Sequence, residues 1–352
     1  MPISQVPFAG ISNPVDFRNI VINGDMQIAQ RSTSVASITT SSYNTVDRFR
    51  TAVDSLGTWT NSQSTDVPSG YGFANSFKLD CTTADASPSA GDLLQIVQRF
   101  EGQNLQYLKK GTANAQSLTA SFWVKSTKTG TFICELVDND NSRQISKSYT
   151  VSVTNTWEFK TVTFAGDTTG ALDNDNANSL QLNFWLGAGS TYTSGTLNTS
   201  WATTTNANRA VGQVNIADST SNDFLITGVQ LEAGEQASGF EFMPFDIDLA
   251  RCQRYYQIIP DGWLFSFSAT QAQMQRGLSP NMRTAPSLTV SAAITIGTGF
   301  VSYPQSSAHI TGFAAANKIT ANLHNFSGLA TTSNPAMTYA LTTNNILADA
   351  EL

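Results

Sequence analysis

Short apolar or alternating runs, separated by clusters of Gly, Asn, Asp, Ser and Thr, make up most of the chain from about residue 19 onward. Alternation with a period of two is typical of strands with one buried face, and clusters of these polar residues form turns. Helical spacing is almost absent. The pattern therefore predicts an all-β chain built as a jelly roll or β-sandwich. The runs before residue 245 that predict strands are RNIVIN, SFKLD, DLLQIVQRF, SLTASFWVKS, GTFICELVD, KSYTVSV, FKTVTFAG, SLQLNFWLGAG and FLITGVQLEAG.

One stretch does show helical spacing. Leu249, Cys252, Tyr255 and Tyr256 recur at intervals of three to four residues and form one apolar stripe. They predict a short helix over residues 246–257, with an aspartate available to cap its start. Because the strand pattern pauses here, we interpret this helix as a connector between two domains.

The connector separates a predicted sandwich over residues 19–245 from a smaller C-terminal β domain over residues 258–352. The second part is rich in Thr, Ala and Asn and is short for an independent sandwich, so we expect it to pack against symmetry mates. Residues 1–18 contain Pro2, Pro7 and Pro14 and predict an extended arm without a core of its own. Such an arm either anchors the subunit to a neighbour or forms a free tail.

Charge and composition narrow the function. Only 13% of the residues are charged, the net charge is −7 and the pI is near 4.8. A chain of this kind lacks the basic patch that binds a phosphate backbone, which argues against nucleic-acid binding as the main function. No apolar run approaches the length of a membrane span, and the N-terminus lacks the pattern of a signal peptide. The widely spaced Cys81, Cys134 and Cys252 indicate buried reduced thiols.

Catalytic motifs are not found in the sequence. His309 and His324 are the only histidines, and no nucleophile, phosphate-binding or zinc motif accompanies them. Asp138, Asp167 and Glu232 are carboxylates of the kind that a glycosidase pair needs, although turn and surface acids of this type are common. The DNDN turns at 138–141 and 173–176 either coordinate calcium or form plain tight turns. We predict a non-enzymatic protein without a cofactor.

Two tryptophans stand on the polar faces of strands whose other face is already apolar. In SLTASFWVKS, Trp123 shares its face with Ser121 and Lys125, and in SLQLNFWLGAG, Trp185 shares its face with Gln181 and Asn183. An indole among amides and a lysine is suited to stacking a sugar ring and binding its hydroxyls. The alternative is that a loop or a neighbouring subunit covers these rings.

Two further segments bear on this predicted glycan platform. Gln95 and Arg99 of DLLQIVQRF could join it, depending on strand register. Trp201 lies in a loop rich in Thr and Asn, where an aromatic side chain is either a ligand contact or a lid over the sandwich.

A succession of motifs resembles a family of tailed-bacteriophage structural proteins that is common in phages of marine bacteria, including cyanobacteria. The resemblance spans about residues 17–257, and the terminal ADAEL is also similar to the ends of such fibre proteins. It implies a tail fibre, minor structural or other virion protein, and with the short C-terminal domain it implies a homotrimer held largely by residues 258–352. The motifs are FRNIVINGDMQIAQR, TVDRF, LTASFWVKS, ISKSYTVSVTNTWEFKTVTFAGDTTG, LQLNFWLGAGS and FLITGVQLEAGEQASGFEFMPFDIDLARCQRYYQ.

The predicted sandwich also resembles carbohydrate-binding modules of the jelly-roll type. Those modules open on an N-G-D-F-E-like strand and close on a D-D-V-x-L-like strand, whose acids help to hold a structural calcium ion. Here the opening is Asn23-Gly24-Asp25-Met26-Gln27 and the closing strand is Thr227-Gly228-Val229-Gln230-Leu231. Asp25 is the one matching carboxylate, so the resemblance leaves Asp25 as the single candidate metal ligand.

Two functions compete within this interpretation. One is an adhesin, a fibre or appendage subunit that attaches to the particle and binds host surface polysaccharide. The other is a capsid decoration protein or tail adaptor, whose partners are other capsid or tail proteins. A glycan depolymerase is a third possibility.

Overall fold

The computed structural model describes residues 17–259, 263–268, 271–290, 295–297, 302–304, 310–323, 337–341 and 346–352. Residues 1–16 of the predicted arm and both histidines lie outside the described residues. The strands of the larger part are β1 (Ser34–Ser42), β2 (Arg50–Ser64), β3 (Ser76–Thr83), β4 (Leu93–Glu101), β5 (Leu118–Ser126), β6 (Gly130–Asp138), β7 (Arg143–Val151), β8 (Glu158–Phe164), β9 (Asn178–Ala188), β10 (Ala202–Thr203) and β11 (Asp223–Ala233).

Helices are few in the described chain. Helix α1 (Ser190–Thr193) is one turn long, and α2 (Phe245–Gln253) follows the last strand of the larger part. Neither could cross a lipid bilayer, because both are too short. Single 3₁₀ turns lie at Gly102–Asn104, Gln106–Leu108, Asn206–Asn208 and Ile216–Asp218.

The larger part is one eleven-stranded antiparallel sheet that folds over on itself. Strand β2 makes this possible, because it pairs with β4 through Arg50–Ser55 and with β3 through Thr58–Ser64. At the bend Gly57 has a φ of +73°, and a Cβ atom there would lie 2.7 Å from the carbonyl oxygen of Thr83. Only glycine fits both demands.

The bend creates two layers. We call β7–β6–β9–β4 with the first half of β2 the cleft layer, and the second half of β2 with β3–β11–β5–β8 the opposite layer. Phe122 of the opposite layer contacts Phe184 of the cleft layer, with ring centroids 4.9 Å apart, and Phe224 contacts Phe132 at 5.5 Å. Each such buried ring contributes about 1.5–3 kcal/mol. The predicted all-β jelly-roll sandwich is confirmed.

The first predicted strand, RNIVIN, is not a strand in the structure. Its Ile20 amide donates to the carbonyl oxygen of Leu231 in β11, but the three amides that follow bind side chains and do not continue a strand ladder. Val21 donates to Asn19 Oδ1, Ile22 to Gln98 Oε1 and Asn23 to Asp248 Oδ1. The segment closes the end of the core as an irregular strap, with Val21 in the core and Asn23 buried.

The predicted helix over 246–257 is shorter at its C-terminal end. It ends at Gln253, and β12 (Tyr256–Ile259) begins three residues later. Tyr256 therefore belongs to a strand, because its backbone pairs with Asp349 rather than continuing the helical ladder. The helix packs against the strap through Cys252, which shares a small cluster with Ile22 and Ile28.

The C-terminal part contributes two further antiparallel sheets, one of three strands and one of seven. In the three-stranded sheet β21 lies between β12 and β15, so β12 crosses the predicted domain boundary at residue 257. The strands are β13 (Trp263–Ser268), β14 (Gln271–Gly277), β15 (Ser287–Val290), β16 (Thr295–Gly297), β17 (Ser302–Pro304), β18 (Ile310–Ala315), β19 (Lys318–Leu323), β20 (Met337–Leu341) and β21 (Ile346–Asp349).

The end of β21 and the residues after it dock onto the sandwich through ionic contacts. Glu351 pairs with the fully buried Arg48 and lies 3.3 Å from Arg31, which also pairs with Asp349 at 3.0 Å. The guanidinium of Arg48 stacks on the ring of Tyr255 at 3.4 Å. A segment distant in sequence thus neutralises arginines that the sandwich has buried.

Candidate binding cleft and the opposite aromatic pocket

The outer surface of the cleft layer carries a row of amides and arginines. Strand pairing places Gln95 beside Trp185 and Arg99 beside Gln181, while Asn183 lies between them on the same face. The first half of β2 continues this face toward Arg50, Ala52 and Asp54. These side chains border a cleft of about 450 Å³, which we call the polar cleft.

Several polar atoms of this face have no hydrogen-bond partner among the described residues. They include Gln95 Nε2, Asn183 Oδ1 and Arg99 Nε, and Gln95 and Asn183 are only 6% and 1% exposed. A buried polar atom without a partner costs about 1–3 kcal/mol. The wall of the polar cleft therefore contains donors and an acceptor that no described residue satisfies.

Glu135 lies below the surface of the polar cleft and holds three of the side chains around it in place through hydrogen bonds. Its fully buried carboxylate accepts two hydrogen bonds from Arg209, at 2.8 and 2.9 Å. It also accepts one from Asn183 Nδ2 and one from Trp185 Nε1, both at 3.0 Å. These bonds fix the Asn183 side chain so that its amide oxygen, Oδ1, has no hydrogen-bond partner among the described residues.

Trp185 itself is not available to a ligand. Its side chain is fully buried, its ring packs against Tyr192 with centroids 5.2 Å apart, and the guanidinium of Arg209 covers it at 5.1 Å. The loop between β9 and β11 folds over this end of the outer face and supplies both covering residues. Trp185 is thus covered by a loop, and its predicted role in stacking a sugar is wrong.

Trp123 lies on the outer face of the opposite layer. Its ring contacts Tyr71 at 4.2 Å and Phe159 at 5.4 Å, and both neighbours are largely exposed. Phe240 and Phe242 complete a pocket of about 450 Å³, which we call the aromatic pocket. Because Trp123 and Gln181 belong to different layers, the single platform predicted from strand alternation does not form.

Lys125 and Trp201 lie away from the polar cleft. Lys125 pairs with Asp66 at 2.6 Å beside the aromatic pocket. Trp201 packs against the core, donates from Nε1 to the carbonyl oxygen of Ala165 at 2.7 Å and lies 5.1 Å from Lys110 Nζ. Of the two predicted roles for Trp201, its position matches the lid over the sandwich.

Two of the three carboxylates considered for catalysis, Asp138 and Asp167, take part in structural ion pairs. Lys110 joins Asp138 and Asp167, and Asp167 also binds Arg143 through bonds of 2.7 and 3.0 Å. Burial raises the pKa of Asp167, but the hydrogen bonds from Arg143 and Lys110 outweigh it, so the pKa lies below its usual value. A general acid needs the opposite shift. Glu232 belongs to the opposite layer, where it binds Ser238.

Asp25 is buried in the turn that packs against β11. Its carboxylate accepts a 2.6 Å hydrogen bond from the Gln27 amide, and burial raises its pKa. Gly24 allows this close packing, because a Cβ atom there would lie 2.1 Å from the carbonyl oxygen of Val229. Among the described residues no group of three or more metal-binding side chains surrounds Asp25.

Sequence reasoning missed several residues of both surfaces. Arg50 and Asp54 lie on β2, whose Ser- and Thr-rich sequence hid the strand, although its alternation near Arg50 was a usable signal. Arg209 and Phe242 reach their surfaces from loops, where the sequence carries no periodic signal.

Comparisons with known proteins give weak likenesses only. No family model and no curated protein matches the sequence. Among solved structures, the enzymatically active domain of tailspike protein 4 from bacteriophage CBA120 has a TM-score of 0.33 and 17% identity, over 62% of this chain and 22% of that chain. The C-terminal family 22 carbohydrate-binding module of Clostridium thermocellum Xyn10B has a TM-score of 0.29 and 12% identity, over 65% of this chain and 100% of that chain. The family 11 module of the Clostridium thermocellum cellulase Lic26A-Cel5E has a TM-score of 0.26 and 14% identity, over 58% of this chain and 98% of that chain. All three scores lie below 0.5, so the jelly-roll assignment rests on the strand topology of this chain.

Proposed function

We propose that this protein is a non-enzymatic attachment subunit of a bacteriophage particle that binds host surface glycan in the polar cleft. The observation that carries the proposal is a pair of buried amide atoms without partners, Gln95 Nε2 and Asn183 Oδ1, at the wall of an open cleft. Sugar hydroxyls both donate and accept, so a glycan can satisfy these atoms. The resemblance of its sequence motifs to those of phage structural proteins supports a place in the virion.

The proposal extends to assembly. We propose that residues 258–352 hold a homotrimer and that residues 1–18 attach it to capsid or tail proteins. Sedimentation analysis of the full chain at micromolar concentration tests the first point, and a stable monomer contradicts it. Deleting residues 1–18 tests the second, since the truncated trimer should no longer enter virions.

Glycan binding is tested with a substitution in each of the two surfaces. We expect Gln95→Ala combined with Gln181→Ala to weaken glycan-array and calorimetric binding by about tenfold or more, because each lost hydrogen bond removes about 0.5–1.5 kcal/mol. Trp123→Ala, in the aromatic pocket, is the matched control and should bind as the unmodified protein does. Loss of binding in the control alone would move the site to the aromatic pocket.

The second candidate function is a purely structural one, as a decoration or adaptor subunit. The exposed rings of Tyr71, Phe159 and Phe242 favour it, since aromatic clusters of this kind are enriched at protein interfaces. In that case no host glycan is bound, and Trp123→Ala reduces incorporation into particles. Release of new reducing ends from host polysaccharide would instead indicate the third possibility, a glycan depolymerase.

A further inference from the structure

One end of the polar cleft is positively charged although the chain as a whole is acidic. Arg50 borders the cleft from β2, and its guanidinium has neither a hydrogen bond nor an ion pair among the described residues. Its cross-strand partner on β4 is Val97, so Arg99 is its diagonal neighbour on the same outer face. Such neighbours lie about 7–8 Å apart.

Arg99 adds a second positive charge at this end, and no aspartate or glutamate among the described residues forms an ion pair with it. Its guanidinium donates one N–H to a main-chain oxygen of Leu352, and its Nε has no hydrogen-bond partner among the described residues. Burial, followed by the charge of Arg99, lowers the pKa of Arg50, which indicates that the two cations repel each other in a partly desolvated position.

The other charges of the polar cleft are arranged differently. Arg209 is saturated by Glu135, and Asp138 is paired with Lys110. Asp54 lies on the same face of β2, four residues after Arg50, and is exposed at the far end of that face. The positive charge available to a ligand is therefore confined to Arg50 and Arg99.

We propose that the polar cleft is specific for acidic glycans, whose carboxylate or sulfate group binds at Arg50 and Arg99 while neighbouring hydroxyls bind the amides of Gln95, Gln181 and Asn183. A guanidinium binds a carboxylate through two parallel hydrogen bonds, a geometry that a neutral sugar does not use. This inference rests on the proposed glycan-binding function and names its ligand class.

The test uses polymers that differ only in charge. Binding of the full chain is measured by affinity electrophoresis and calorimetry with polygalacturonate against fully methyl-esterified homogalacturonan, and with dextran sulfate against dextran. We expect the unmodified protein to bind at least one acidic polymer about tenfold or more tightly than its neutral counterpart at low salt. The preference should shrink as the salt concentration rises.

The variant Arg50→Gln should lose this preference, whereas Lys109→Gln, which removes an exposed charge outside the polar cleft, should keep it. Thermal unfolding of both variants checks that they fold. Binding of neutral polymers without any effect of Arg50→Gln would overturn the acidic specificity and leave glycan binding in place. Absence of binding to either acidic polymer, or equal losses in both variants, would also overturn it.

Discussion

Replacing Glu135 with glutamine removes one buried negative charge while keeping the side-chain volume. The carboxylate accepts four hydrogen bonds, from Arg209, Trp185 and Asn183, and no exposed surface lets water replace them. Removing one partner of a buried ion pair costs about 3–5 kcal/mol. Because the Arg209 side chain keeps 18% exposure, we expect the lower end, about 3 kcal/mol less free energy of unfolding.

Urea unfolding followed by tryptophan fluorescence measures this loss. The double variant Glu135→Gln with Arg209→Gln is the decisive comparison, because it removes the arginine that the single variant leaves unpaired. We expect a coupling energy between the two sites of about 1.5–3 kcal/mol, typical of hydrogen bonds to charged groups. A coupling below about 0.5 kcal/mol would refute the view that Glu135 acts as the hub under the polar cleft.

Three further outcomes follow from buried charges elsewhere. Asp25→Asn should raise the free energy of unfolding at pH 7 in urea titrations, because burial raises the pKa of Asp25, and added calcium should leave the wild-type midpoint unchanged. Asp167→Asn should lower the free energy of unfolding at pH 7. The loss should disappear once the pH falls below the depressed pKa of Asp167, because only the ionised carboxylate stabilises the fold. Arg48→Met should expose residues 346–352 to proteolysis, since Glu351 then lacks its buried partner; unchanged cleavage would contradict this.

Strand alternation predicted which side chains of each strand point outward. It correctly placed Trp123, Gln181 and Asn183 on outer faces, but it carried no information about which layer each strand joins. Only the pairings of β9 with β4 and of β5 with β11 separate Trp123 from Gln181. Such pairings join residues far apart in sequence, and a single chain shows no local signal for them.

Two other differences have local causes. The cover over Trp185 comes from Tyr192 and Arg209, in a loop that the Arg209–Glu135 ion pair ties to β6 and that has no periodic pattern in the sequence. Strand β1 was missed because Ser and Thr fill most of its positions, so its alternation of apolar and polar residues is faint. By contrast, GTFICELVD is a mostly apolar run, buried on both faces, and it coincides with β6.

The link between Arg48 and Glu351 has a consequence for how the protein is made. The two residues are 303 positions apart. A ribosome that adds about 5–20 residues per second needs roughly 15–60 s to travel from one to the other. In the later part of that interval, once β11 has been made, the nascent sandwich either buries a guanidinium without its counter-charge or stays open at that edge. The buried Arg48 therefore gains its counter-charge only after Glu351 has been synthesised, so this edge of the sandwich is completed after all the strands of the sandwich.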